Sequence, residues 1–317
     1  MSDQLLFNGL LNINKPSGIT SRDAVNRVQH WFPKRTRIGH TGTLDPLADG
    51  VLVLCIGQAT RVVEYVQNMD KVYETEITLG AVSDTDDAQG VITPQEVQQQ
   101  PSFADLETHA DRFRGEILQT PPQYSALKVN GRRAYKTARR GEAVAIQPRT
   151  VPIYELEILS YTFPNVKLLI HCGKGTYIRS IARDLGESLG CGAYVNKLRR
   201  QRVGPFLYAD SKSLNAEKTP ELLPIELALI SLPRYTMNKE QAQYFCRGTQ
   251  VSVHGAEKRT LSDGEYVVYD DSGQLLGLAE HRSKVLQPSK VFVVNRGPIL
   301  EGIKQESGNE NDDQDSQ

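Results

Sequence analysis

Cysteine is scarce and scattered: Cys55, Cys172, Cys191 and Cys246 are the four in 317 residues, and no two sit at metal-ligand or disulfide-framework spacing. That excludes a disulfide scaffold and a cysteine-built zinc site, and it leaves the four as small buried or half-buried hydrophobes. The six histidines show no HExxH or comparable spacing and the carboxylates make no EF-hand pattern, so no metal is expected. No apolar run approaches the length of a membrane span. Residues 1–11 hold no basic region leading into a long apolar core, so a secretory signal is not expected and a cytoplasmic location is. Internal repeats are also missing.

What is present is an ordinary globular composition, 39% hydrophobic and 24% charged, in a chain long enough for one large and one small domain. The net charge of −1 would argue against a nucleic-acid partner, but it is unevenly spread. Residues 301–317 carry six acids and one base, so the first 300 residues are net +4. The acidic end, taken as 298–317, is expected to be a disordered solubilising tail.

The stretch Gly39-His40-Thr41-Gly42-Thr43-Leu44-Asp45-Pro46-Leu47-Ala48-Asp49-Gly50 stands out, because three glycines and a proline constrain a loop holding Asp45 just before the apolar run Val51 to Ile56. Such a loop presents a reactive side chain from a rigid base. The plainer reading is that Asp45 caps a short helical turn with Pro46 in its first position. Upstream, Leu10 to Asn14 reads as a strand, Lys15 to Gly18 as its turn, and a helix capped by Thr20 or Ser21 runs to Pro33. Ala59 to Met69 reads as a short helix, and 71–81 as a strand with Tyr73, Thr75, Ile77 and Leu79 facing inward. The Asp-rich loop 83–90 lacks the late bidentate glutamate of a calcium loop and reads as a solvated turn. A helix is expected over Phe103 to Arg114.

From Ile117 to Gly141 there is no acid, while Lys128, Arg132, Arg133, Lys136, Arg139 and Arg140 gather around Tyr124 and Tyr135. Arg132, Lys136 and Arg140 share one face of an expected short helix, a spacing at which like charges repel unless a polyanion lies against them. Nucleic-acid contact is therefore expected from this basic segment, about 117–150, against the alternative of a solvated cationic face. Strands follow at 151–160 and 166–172. A helix capped by Thr176 comes next, with Ile178, Ile181, Ala182, Leu185 and Leu189 inward and Gly190 at its end. Arg179 sits in its first turn, where a cation is disfavoured, which points to a specific carboxylate partner such as Asp45. The segment 193–206 reads as a strand with Val195 and Leu198 inward and Arg199, Arg200 and Arg202 adding positive charge. Prolines 220, 224 and 233 then set off a smaller β-rich unit, with a helix capped by Asn238 and a hairpin at Asp270 to Gly273.

Five stretches together resemble the TruB pseudouridine synthase family over roughly residues 8 to 205: Asn14 to Gly18, Gly39 to Gly50, Lys71-Val72-Tyr73, Pro122 to Lys128, and Gly175 to Arg179. Asp49 departs from the small or hydroxyl residue expected there, a change that touches loop packing more than chemistry. The resemblance implies an α+β fold with a mixed, mainly antiparallel sheet. The catalytic domain would span 1–232, and a small β-rich domain similar to a PUA-type module would span 233–297. It implies isomerisation of uridine to pseudouridine at position 55 in the TΨC loop of tRNA, by a monomer that uses neither cofactor nor metal. Asp45 would be the catalytic carboxylate, Tyr73 the aromatic stacked on the base, Arg179 the partner of Asp45 and Leu198 an apolar wall. His40 would take the flipped base's place in the RNA loop. Lys15 and Pro16 would support the site, Tyr177 would line it, and Lys128, Arg132, Arg133, Lys136 and Arg140 would grip the T-arm. An RNA-binding or tRNA-folding protein with secondary isomerase activity, and a base-excising glycosylase, are the alternatives.

Overall fold

The computed structural model of the chain describes residues 7–125, 128–129, 132–133, 146–216, 220–253 and 261–292, with backbone only at 128–129 and 132–133. The chain separates into two units, Met1–Pro224 and Ile225–Gln317. Early in the first unit come β1 (Gly9–Lys15), α1 (Ser21–Gln29), β2 (Ile38–His40), β3 (Asp49–Ile56), α2 (Val63–Asn68) and β4 (Lys71–Leu79). Next are the hairpin β5 (Ala81–Ser83) and β6 (Ile92–Pro94), then α3 (Phe103–Ala110), β7 (Gly115–Gln119), β8 (Lys128–Val129) and β9 (Arg132–Arg133). The unit ends with β10 (Arg149–Thr162), β11 (Asn165–Cys172), α4 (Ile178–Ser188), β12 (Ala193–Val203), β13 (Phe206–Leu207) and β14 (Lys212–Ser213). Ten of these strands make one sheet in the order β14-β1-β3-β12-β4-β11-β10-β7, with β2 on β3 and β13 on β12. Among the described strands of this sheet only β1–β14 and β3–β12 pair in parallel, so the α+β, mainly antiparallel class is the observed one.

Alternation explains β4, where Lys71, Tyr73, Thr75, Ile77 and Leu79 are buried and the residues between them are half-exposed. Val51 to Ile56 of β3 are fully buried, as a continuous apolar run in mid-sheet must be. Val195 and Leu198 of β12 are both buried although they lie three residues apart. A bulge resolves this: Val195 faces Ile77 and Lys197 faces Glu76, so Asn196 is the extra residue that returns Leu198 to the inner face. Arg200 then lies opposite Tyr73, and a second bulge at Gln201 places Arg202 opposite Val72.

Thr20 caps α1 in a reciprocal capping box with Asp23, which frees the Ser21 hydroxyl for another task described below. Helix α4 departs from expectation: Tyr177 is its N-cap, with no side-chain cap. The turn through Gly175, at φ +84°, brings the Gly173 carbonyl within 3.2 Å of the Thr176 hydroxyl, which closes the turn rather than the helix. Ile178, Ile181, Ala182 and Leu185 of α4 are buried in the core formed with the sheet. The expected basic helix is not found at its start, because Arg132–Arg133 pairs with Lys128–Val129 as a two-stranded ladder. Lys136 and Arg140 lie outside the described residues, as does the acidic tail.

Gly50, where β3 leaves the Asp45 loop, takes φ +106°, and a Cβ there would meet the Arg200 carbonyl oxygen at 2.4 Å. Both the conformation and the contact forbid a side chain, so Gly50→Ala is expected to cost about 3 kcal/mol or more of unfolding free energy. A denaturant midpoint matching wild type would contradict this.

The second unit has a five-stranded sheet, ordered β15 (Arg234–Met237), β17 (Gly264–Asp270), β18 (Leu275–Arg282), β19 (Val285–Val291) and β16 (Val251–Ser252). Its helix α5 (Lys239–Cys246) starts in a capping box of Asn238 with Gln241, and the Asp270 carboxylate closes the β17–β18 turn onto Ser272 N.

Candidate active site

The Asp45 loop is a clamped turn, not the start of a helix. Ala48 N donates to Asp45 O at 3.1 Å, and the buried side chains of Leu44 and Ala48 anchor either side. The segment before α1 holds it from outside. Ser21 Oγ donates to Leu44 O and accepts from Leu44 N at 3.0 and 2.8 Å, Ser17 Oγ donates to Leu47 O, and Gly18 N to Pro46 O. Asp45 is thus fixed by backbone contacts while its side chain keeps 33% of its exposure.

Arg179 comes from the first turn of α4 and is 4% exposed, with Nε 2.9 Å from Asp45 Oδ2 and 3.7 Å from Asp87 Oδ2. Its Nη1 donates to Thr85 O at 2.8 Å and its Nη2 to Tyr124 O at 3.0 Å. The Nε–H aligns on neither carboxylate, so those contacts are ion pairs and the aligned hydrogen bonds go to the two carbonyls. A buried guanidinium is tolerated because two carboxylates and two carbonyls meet it. The expected pairing of Arg179 with Asp45 is therefore observed.

Asp45 and Arg179 line an open cavity of about 270 Å³. Tyr73, Leu198 and Tyr177 join Asp45 and Arg179 in its wall, together with Gln67, Lys71, Arg149 and Arg200. Burial raises the Tyr73 and Tyr177 hydroxyls above the usual phenol range, Arg200 opposing it at Tyr73 and Arg149 at Tyr177, so both rings enter as neutral apolar surfaces. Arg149 lies over the Tyr177 ring at 5.2 Å. Lys15, Pro16 and His40 are not in the wall. Lys15 is fully buried, its Nζ donating to Pro16 O and Ile19 O at 2.9 Å each, so it shapes the turn that braces the Asp45 loop. His40 is half-buried on β2, opposite Leu54 of β3. The side chains at 128, 132 and 133, like residues 136 and 140, are outside the described set.

Residues 30–178 match the TruB family pseudouridylate synthase N-terminal domain, residues 179–219 the tRNA pseudouridylate synthase B C-terminal domain, and residues 233–292 the pseudouridine synthase II TruB C-terminal domain. The chain is 38% identical over 306 residues to tRNA pseudouridine synthase B of Syntrophomonas wolfei, covering 91% of this chain and 100% of that protein. It is 41% identical over 284 residues to the same-named protein of Pseudomonas fluorescens Pf-5, covering 86% and 91%. The chain belongs to the TruB family of tRNA pseudouridine synthases. A TruB-family synthase is an isomerase. A chain of a Cbf5-Nop10-Gar1 complex aligns at TM-score 0.68 and 24% identity, covering 90% of this chain and 85% of that one. One of an archaeal box H/ACA Nop10-Cbf5 complex aligns at 0.67 and 23%, covering 92% and 89%. At such identities the likeness speaks for the fold alone.

Three features of the TruB-family site escaped the sequence reading. The loop 83–90 is not a solvated turn: Asp87 is 4% exposed against Arg179, and Asp86 meets Arg183 Nη1 at 3.0 Å. Burial raises the Asp86 carboxyl above the usual range, with Arg183 opposing. Nor are the arginines of β12 unpartnered. Arg199 grips Asp49 through two hydrogen bonds of 2.8 and 2.9 Å, Arg202 meets Asp70 at 2.7 Å, and Arg200, 2% exposed, donates to Val51 O and Gly42 O. Asp49 therefore has a partner that a small residue would lack. The third feature is Gln119, fully buried, whose side-chain amide meets the backbone N–H and carbonyl of Tyr177. Among the described residues no group of three or more His, Cys, Asp or Glu side chains could hold a metal, and no helix is long and apolar enough to cross a membrane.

Burial lowers Lys15 and Lys71 to about 8 from 10.5. The unfolded chain then binds more protons than the folded one between those values, so these two groups make stability rise with pH from about 8. The thiols of Cys55 and Cys172, pushed up to about 12 from 9, act in the opposite sense above 9. A urea midpoint higher at pH 9 than at pH 7.5 is expected, and a lower one would contradict the assignment.

Proposed function

We propose that the chain converts uridine 55 of the TΨC loop of tRNA to pseudouridine, with Asp45 as the catalytic carboxylate. The observation that carries this reading is the Asp45–Arg179 contact at 2.9 Å on the wall of a pocket lined by Tyr73, Tyr177 and Leu198. The reaction breaks the bond from ribose C1′ to N1, turns the uracil and joins C1′ to C5. The C5 proton leaves to solvent and N1 gains one. That chemistry needs a carboxylate held at the sugar and base, walls that retain the detached ring, and little free water. The carboxylate is Asp45, with Arg179 fixing its direction. The walls are Tyr73, on which the ring stacks, and Leu198.

The target nucleotide lies inside a folded loop and is flipped out, at a cost of a few kcal/mol repaid by stacking on Tyr73 and by His40 filling the vacated place. Lys128, Arg132, Arg133, Lys136 and Arg140 grip the T-arm backbone, so affinity falls steeply with salt. The unit after Ile225 serves as a second RNA-binding module of PUA type. In this reading the enzyme works as a monomer in the cytoplasm, without metal. The test is to map pseudouridine in an unmodified tRNA transcript after incubation. A single modified position at 55, absent from a transcript carrying cytidine there, is expected, and modification elsewhere with 55 untouched would overturn the position.

A further inference from the structure

Helix α4 carries Arg179 and follows the pocket-lining Tyr177, yet its N-terminus has no side-chain cap of its own. The turn before it includes Gly175 at φ +84°, which by itself gives the chain freedom rather than a fixed direction. Something else must hold it. Gln119, the last residue of β7, is fully buried and sends its amide to Tyr177 from 58 residues away. Oε1 accepts from Tyr177 N at 2.8 Å, and Nε2 donates to Tyr177 O at 3.0 Å. One amide satisfies both backbone polar groups of a single residue, as a neighbouring strand would. The partners leave no choice of which end of the amide is which.

The position of Gln119 in the sheet adds to this. Its ladder partner on β10 is Arg149, so the two side chains leave the same face. Arg149 covers the Tyr177 ring at 5.2 Å and donates to Gly175 O. Gln119 and Arg149 are also the residues from which the basic insertion departs and to which it returns. Just beyond Gln119, Thr120 O accepts from Ser180 Oγ at 2.8 Å and from Arg183 Nη2 at 2.9 Å, and Tyr124 O accepts from Arg179. The root of the RNA-gripping segment and the start of α4 are thus bonded to one another at several points.

We propose that Gln119 is a positioning residue for the isomerisation: its buried amide sets the Tyr177 backbone and thereby the turn from which Tyr177 faces the pocket and Arg179 reaches Asp45. The inference rests on the reading of Asp45 and Arg179 as the reacting centre. A glutamine suits the task because it alone among side chains of its length offers one donor and one acceptor side by side. A leucine strands Tyr177 N and leaves Tyr177 O with the Ile181 amide at 3.2 Å as its remaining donor. A glutamate accepts from Tyr177 N but donates to Tyr177 O only while its carboxyl is protonated.

The test measures single-turnover tritium release from tRNA labelled at uridine C5, tRNA dissociation constants and thermal midpoints for wild type, Gln119→Leu, Gln119→Glu and Asp45→Asn. Gln119→Leu is expected to release tritium about tenfold or more slowly with its tRNA dissociation constant within about twofold of wild type, since small misplacements of reacting groups cost rate rather than affinity. Gln119→Glu is expected to show a deficit relative to wild type that shrinks as pH falls from 8 to 5.5. An unchanged rate in Gln119→Leu, or a loss of affinity that accounts for its loss of rate, overturns the proposal. Should Gln119→Leu not fold, Gln119→Glu decides, and a pH profile parallel to wild type overturns it. Asp45→Asn separates the two readings. Full activity there defeats the assignment of the centre, whereas an inactive Asp45→Asn beside a fully active Gln119→Leu defeats only the role given to Gln119.

Discussion

Asp45→Asn is expected to lose turnover by a factor on the order of 10³ or more while binding tRNA with near wild-type affinity. The substitution keeps the shape of the side chain and leaves the loop's anchors untouched, since these are Ser21 on Leu44, Ser17 on Leu47 and Gly18 on Pro46. It removes only the negative charge and the nucleophilic or basic oxygen. Arg179 retains Asp87 at 3.7 Å and its two carbonyl partners, so the guanidinium is not left stranded. The loss therefore belongs to chemistry and not to folding, and a thermal midpoint within a few degrees of wild type is the accompanying control. Turnover within tenfold of wild type would remove Asp45 from the mechanism.

The second large effect is expected at Arg179, where lysine is no conservative replacement. Lysine keeps one charge but cannot reach Asp45, Thr85 O and Tyr124 O at once, because those three contacts use Nε, Nη1 and Nη2 of a planar fork. Two carbonyls lose their donor and two carboxylates, that of Asp87 buried, share a displaced ammonium. Breaking one partner of a buried ionic group costs about 3–5 kcal/mol when nothing replaces it. Since Asp45 is a third exposed and solvent meets part of the demand, Arg179→Lys is expected to cost about 2 kcal/mol or more of stability, with a fall in turnover of about 10²-fold or more. Stability and turnover both near wild type would mean that Arg179 does no more than fill space.

The two sites differ in how far the sequence announces them. Asp45 sits in a contiguous string whose glycines and proline already describe a rigid loop, so the stretch can be picked out by eye. Arg179 is visible because a cation in the first turn of a helix opposes the helix dipole and asks for a partner. Asp87 gives no such signal. Inside a run of acids it resembles a solvated turn, and only the fold brings it to an arginine 92 residues further on, at 3.7 Å. Gln119 is equally silent, since a glutamine ending a strand has no local pattern that names a partner 58 residues away. Arg199, Arg200 and Arg202 read as a basic strand because their carboxylate and carbonyl partners belong to β3, its preceding loop and the residue before β4.

Local pattern served well where a single element decides the outcome. The alternation of β4 and the caps of α1 and α5 are written in adjacent residues. It failed at Thr176, where a glycine turn offered the hydroxyl a nearer carbonyl than a helix offered it donors. The shared inward face of Val195 and Leu198 is an intermediate case. Their odd separation demands a bulge somewhere between them, but only the pairing with β4 shows that the extra residue is Asn196.

The measurement that bears most directly on the whole account follows one tRNA transcript, tritiated at C5 of its uridines, through incubation with the wild-type enzyme. Tritium released to water, pseudouridine formed at position 55 and free uracil are quantified together. The account predicts one tritium released for each pseudouridine at 55, no free uracil, and none of these products from Asp45→Asn. Free uracil in place of pseudouridine would mean that the pocket excises the base, and tight tRNA binding with no release at all would mean that it holds RNA without changing it; either result would contradict the account.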